Sequence, residues 1–397
     1  MSHSCFLVRT ALLDPARKVV AHEVSWQRGS GASADALLPL LASALHDEEK
    51  GWLLGDGHLV VPLAPSALPA LADTPLPPRG MTIAIAADML NDADGAALAE
   101  DLRRRGYGLA LQDADEPTIN PALFAHATQL QLDGAAPELP ARLKRVIQQR
   151  RTGARIALCN IGAWAHYETC AKAGLDVYAQ KLILAPAPAQ AARGLNPAQA
   201  VIMQLMNLVT RNADIREIEA VLKRDPAISY KLFRYINSVG FGLGTEIHSI
   251  RHAVTMLGYS TLYRWLALLL ATASNSDYAA PLMKTAIIRG RFAELLGASL
   301  LPKSEAENLF VAGMFSVLDR LLGQTMEEVL SHIPLSEALS EALLSRSGIY
   351  GPFLALAESC EQVDGRSAAL ADALFLDAAQ VNRAHLAALA WTQNLKL

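Results

Sequence analysis

Residues 82–115 read TIAIAADMLNDADGAALAEDLRRRGYGLALQDAD. The apolar run Thr82–Ala86 predicts a buried strand, and Gly108–Gln112 predicts a second. Between them, Asp92–Arg105 predicts a helix. Ala93, Ala96, Ala97 and Leu102 fall near one face, Arg103–Arg105 complement the negative end of the helix dipole, and Gly106 is a stop. Strand, helix and strand in this order make one βα repeat. Working outward, strands are predicted at Phe6–Leu13, Lys18–Trp26, Leu59–Leu63, Gln129–Asp133, Arg155–Cys159 and Val177–Leu184. Asp14-Pro15 is a turn signal that joins the first two as a hairpin. Eight strands with repeated βα units predict a barrel, with a doubly wound sheet as the alternative.

From 185 to 197 the text changes to APAPAQAARGLNP, where alternating proline holds neither a helix nor a central strand. This places a domain at 1–188, a linker at 189–196 and a second domain at 197–397. Beyond the linker nearly everything predicts helix. Asn196-Pro197, Asp214–Glu217, Asp225-Pro226, Ser304–Glu307 and Thr325–Glu328 are helix starts. Gly258, Gly297, Gly323 and Gly348 are stops. Gly240–Gly244 follows a helix rather than a strand, so it reads as a turn, not a phosphate loop. Trp265, Leu266 and Leu268–Leu270 read as a buried core helix face.

At 397 residues the chain has room for two cores, and 52% hydrophobic against 19% charged residues excludes a wholly disordered chain. A net charge of −4 with no strongly basic domain argues against nucleic acid as partner. Arg251, Arg264, Arg289 and Arg291 read as solvated positions. The longest apolar run, Trp265–Ala273, is too short for a bilayer, and Met1–Thr10 lacks an export signal. The four cysteines form no CxxC pair, which fits reduced thiols; the expectation is a cytoplasmic chain without a membrane anchor.

The stretches DPAISYKLFRYINSVGFG (225–242), SIRHAVTMLGYSTLYRWLALL (249–269) and LFVAGMFSVLDRLLG (309–323) resemble the core text of HDOD domains, helical output modules related to HD phosphohydrolases. The whole layout resembles bacterial proteins that join an EAL domain, a barrel-shaped phosphodiesterase of cyclic di-GMP, to an HDOD domain. The resemblance implies an N-terminal TIM-like (β/α) barrel of EAL type followed by an all-helical domain. It also implies a site of carboxylates, an asparagine and a lysine holding two divalent cations at the barrel rim.

Against that pattern, Glu23 in VVAHEVSWQ stands at the family's name-giving glutamate. Asp113, Asp133 and Gln180 also match. The expected asparagine is Pro62, the next glutamate Ala84, the first paired aspartate Gln112, the lysine Gln131, a further glutamate Cys159 and another Gly162. Read bottom-up, Glu23 is a strand-end carboxylate accepting backbone or arginine hydrogen bonds, and Asp113 and Asp133 cap loops. Arg28 reads as a surface residue before the Gly29–Gly31 loop.

In the helical half, Ser316 and Val317 stand where HD enzymes carry their His-Asp pair, and His248, His252, His332 and His385 lack ligand spacing. The expectation is a catalytically inactive signalling protein without metal or cofactor. It would act through other signalling proteins, cyclic di-GMP binding is not expected, and a homodimer is left open. The alternatives are a cyclic di-GMP phosphodiesterase or sensor, and an HD-type metal-dependent phosphohydrolase.

Overall fold

The computed structural model describes residues 5–27, 36–74, 76–115, 118–149, 153–172, 174–180, 196–237, 247–273, 279–333, 335–362, 365–393 and 395. The linker up to 195, Arg28, the Gly240–Gly244 turn and the part of the last predicted strand beyond Gln180 lie outside the described residues. The chain divides into two compact units. One comprises Met1–Pro188 with Cys360–Ala368, the other Ala189–Ser359 with Ala369–Leu397.

In the first unit, eight strands close a barrel: β1 (Leu7–Leu13), β2 (Val19–Trp26), β5 (Leu59–Pro62), β6 (Met81–Ala86), β7 (Gly108–Gln112), β8 (Gln129–Asp133), β9 (Arg155–Ile161) and β10 (Val177–Gln180). The order around the barrel is β1-β10-β9-β8-β7-β6-β5-β2. β1 runs antiparallel to both neighbours, β2 and β10, and every other pairing is parallel. The Asp14-Pro15 hairpin is present, and β9 runs two residues further than its apolar run suggests. β3 (His46–Asp47) and β4 (Gly51–Trp52) form a small separate hairpin.

The helix between β6 and β7 spans Ala93–Arg104, with Asp92 as its N-cap accepting from the Gly95 amide at 2.7 Å. Its buried face is Gly95, Ala99 and Leu102, whereas Ala93 and Ala97 are exposed. Alanine carries too little apolar area to decide a face. What decides it is Gly95: a Cβ there would lie 2.4 Å from the Leu90 Cα, so only glycine admits this approach.

In the second unit the described residues form helices, beginning with Pro197–Thr210, Ile215–Leu222 and Pro226–Ile236. Asn196 and Thr325 close full capping boxes with Gln199 and Glu328. Asp214 caps its helix through the Arg216 amide, without a reciprocal bond from Glu217. Ile250–Thr272 is broken at Gly258, whose φ of 78° is left-handed. By length and composition this is the one helix among the described residues that could cross a membrane, yet 44% of its apolar window is buried inside the chain. Trp265, Leu266 and Leu268–Leu270 are buried, as a core face requires.

The centre of this unit is the crossing of Ala279–Gly297 with Lys303–Phe315. A Cβ on Gly313 would fall 2.4 Å from the Gly290 Cα, so the two backbones touch at a glycine pair. Two arginines read as solvated are in fact internal. Arg289 is 2% exposed and pairs with Glu358 at 3.0 Å, and Arg264 pairs with Glu294 at 2.7 Å while stacking over Phe310. The helix Glu337–Ser345 ends on a left-handed Arg346, ahead of the Gly348 that the sequence marks as its stop. Arg346 holds that conformation because its guanidinium is pinned by Glu358 and by the Ala342 and Leu343 carbonyls.

Candidate functional site at the barrel mouth

Strand geometry decides which side chains share the barrel interior. Leu12, Ala21, Val60, Ala84, Ala110 and Ala157 form one buried cluster, with Cys159 packed against it. Side chains two residues apart on a strand face the same way. Glu23, Pro62, Gln112 and Cys159 therefore stand one layer above Ala21, Val60, Ala110 and Ala157, toward the strand C-termini. Pairing of Gln131 with Ala157 and of Asp133 with Cys159 puts both β8 residues on this face. Asp113 follows β7 directly, and Gly162 follows β9, exposed. Gln180, described here by its backbone alone, pairs with Ala11 and Ile161.

Three acids act on one point. The Cys159 thiol is pushed far above the ordinary range by burial, and further by the charges of Glu23, Asp133 and Asp113. Burial pushes the Glu23 carboxyl up to about 7, with no cation or donor among the described residues opposing it. Its reading as a strand-end carboxylate satisfied by hydrogen bonds is thereby corrected. Asp133 does cap its loop, Oδ1 accepting from the Ala135 amide at 2.9 Å. Asp113 is exposed with a left-handed φ of 51°.

Gln131 is the unusual member. It is 2% exposed, and neither Oε1 nor Nε2 finds a hydrogen-bond partner. Its backbone carbonyl accepts from the Ala114 amide at 3.1 Å, which fixes the strand but leaves the side chain unmet.

Asp115, two residues past Asp113, is absent from the sequence reading. It is buried and receives a hydrogen bond from Arg142 Nη2 at 2.8 Å, with Arg145 Nη2 at 3.7 Å. The signal was Arg142 and Arg145 three apart on the helix Leu139–Gln149, so one face carries both guanidinia. This clamp ties the loop after β7 to that helix and so positions Asp113.

A two-cation centre needs several oxygen donors converging on each ion. Among the described residues no group of three or more His, Cys, Asp or Glu is placed to hold a metal ion. The residues present do not fit the paired metals that the resemblance implies. In the helical unit, Ser316 and Val317 are buried. Ser316 Oγ lies 2.6 Å from Arg289 Nη1 and donates to the Gly313 carbonyl at 2.6 Å. Arg289 and Arg346 both reach Glu358, so guanidinium–carboxylate pairs occupy this interior. Burial acts to raise the Glu358 carboxyl, but the two arginines outweigh it and hold it low.

Residues 195–342 match the HDOD domain family. The chain is 32% identical over 173 residues to the cyclic di-GMP phosphodiesterase CdgJ of Vibrio cholerae serotype O1, covering 43% of this chain and 40% of that protein. It is 26% identical over 204 residues to the uncharacterized protein YuxH of Bacillus subtilis, covering 48% and 47%. The matched stretch is thus under half the length of either relative. Among solved structures, the PaMucR phosphodiesterase in complex with cyclic di-GMP is similar at 17% identity and a TM-score of 0.38, over 47% of this chain and 98% of that one. Two expectations are corrected by these findings. A catalytically inactive chain acting only through partner proteins, and one to which cyclic di-GMP binding is not expected, both stand against a 32% identical relative that carries the name of a cyclic di-GMP phosphodiesterase.

Proposed function

We propose that the chain binds cyclic di-GMP at the mouth of its barrel and serves signalling by that messenger, as an EAL-like domain (1–188) joined by a linker (189–196) to a helical HDOD half (197–397). The supporting observation is the gathering of Glu23, Asp113 and Asp133 about Cys159 on one rim. A few polar groups above an apolar barrel floor are the kind of lining that small-ligand sites use. The curated relative gives the ligand class.

Turnover of the dinucleotide is a second reading, and the name of that same relative favours it. Glu23, raised to about 7, has the proton affinity suited to general acid–base work near neutral pH. The test is calorimetric titration of the full chain with cyclic di-GMP, followed by chromatography of the same mixtures with and without magnesium or manganese. Saturable heat supports binding, and a linear dinucleotide product supports turnover. Silence in both measurements refutes the proposal.

A further inference from the structure

We infer that Cys360–Gln362 and Ser367 form a clasp on the barrel that passes changes in the strands around Glu23 to the helices on either side of the clasp. These residues lie beyond 195–342, the stretch that matches the HDOD family. Cys360–Ala368 belongs to the barrel unit, although the chain before and after it belongs to the other unit. The clasp has this role whichever ligand the barrel mouth takes.

Its bonds are buried and specific. The described part of β10 pairs with β1 from Ala11 to Leu13, and past that ladder the Arg9 amide donates to the Cys360 carbonyl at 3.2 Å. Arg9 stands three residues from Leu12, whose side chain is in the interior cluster, so the Arg9 side chain faces outward. Its guanidinium meets Glu361 Oε1 at 3.3 Å, with the two side chains only 4% and 8% exposed. Breaking a pair this well buried on one side alone leaves a stranded charge. Gln27, directly after β2, donates from Nε2 to the Ser367 hydroxyl at 2.7 Å and to the Gln362 carbonyl at 3.3 Å.

Placement gives the clasp its task. Thr10, next to Arg9, is the cross-strand partner of Glu23, and Gln27 lies four residues past Glu23. A shift of β2 at the mouth therefore acts on both anchor points. The chain enters the clasp from the helix Gly351–Ser359 and leaves it through Ser367–Ala373. Contiguous packed and hydrogen-bonded groups of this kind are what carries coupling between distant places in a fold.

The test is hydrogen exchange read by mass spectrometry on the chain of residues 1–397. Val60→Ala supplies the lesion: Val60 is buried, pairs with Glu23 across β2 and β5, and lies in the interior cluster. It is made in the wild-type background, in Arg9→Met with Glu361→Leu, which strands no charge, and in Gln27→Leu with Ser367→Ala. With the clasp intact, the lesion should lower protection at least about tenfold in β1, β2, Cys360–Gln362 and the helices Gly351–Ser359 and Ser367–Ala373, leaving Pro197–Thr210 unchanged. In either clasp variant the strands should still respond and those two helices should not. Silence of Cys360–Gln362 or of the flanking helices with the clasp intact overturns the inference. So does an equal response of those helices without the clasp, or a response of Pro197–Thr210 as strong as theirs.

Discussion

Replacing Glu23 by glutamine makes the proton affinity of the barrel mouth measurable as stability. The Glu23 carboxyl is lifted from an ordinary 4.5 to about 7 by burial. Below pH 4.5 it is protonated whether the chain is folded or not, and contributes nothing. As pH rises through that value the unfolded chain releases the proton while the folded chain keeps it, so the folded state loses ground until about pH 7. The full difference is about 3 kcal/mol. Unfolding of the full chain should be followed by calorimetry from pH 4.5 to 8 for wild type and Glu23→Gln. The two should nearly coincide at the acid end, and by pH 8 the variant should be the more stable by about that amount. Parallel profiles over the whole range would refute a buried, unpaired carboxyl.

Other outcomes follow from the packing. Asp115→Ala strands Arg142 and frees the loop after β7; a loss of about 3 kcal/mol in barrel stability, read by urea unfolding, is expected. Gly313→Ala drives a methyl into Gly290 and should cost about 1–3 kcal/mol, visible as a lower unfolding temperature of the helical unit. Glu358 is held below its ordinary value, so its pairing stabilises above the unfolded pKa and fades as acid protonates it; Glu358→Gln should flatten the acid limb of the helical unit's stability profile.

Much of this molecule was legible in its sequence. The eight barrel strands followed from apolar runs bounded by turn residues, because a strand buried on both faces reads as a continuous apolar block. The helix starts at Asn196 and Thr325 followed from their cap residues, though the full capping boxes there did not. What escaped depended on contacts between residues distant in the chain. Nothing local marks Gly290 and Gly313 as touching backbones, and nothing local separates Arg289, buried against Glu358, from a solvated arginine. The same holds at the mouth. The positions of Glu23, Asp113 and Asp133 could be named one by one, but their joint action on Cys159 needed the closed barrel. Gln131 read as a lost lysine, whereas its unmet amide is visible only once its neighbours are in place.

The most direct measurement is the heat of cyclic di-GMP titrated into the chain of residues 1–397, with EDTA and then with manganese. Saturable uptake of one dinucleotide per barrel is the expected result. No heat in either buffer, from protein shown to be folded, would contradict a nucleotide site at the ring of Glu23, Asp113 and Asp133.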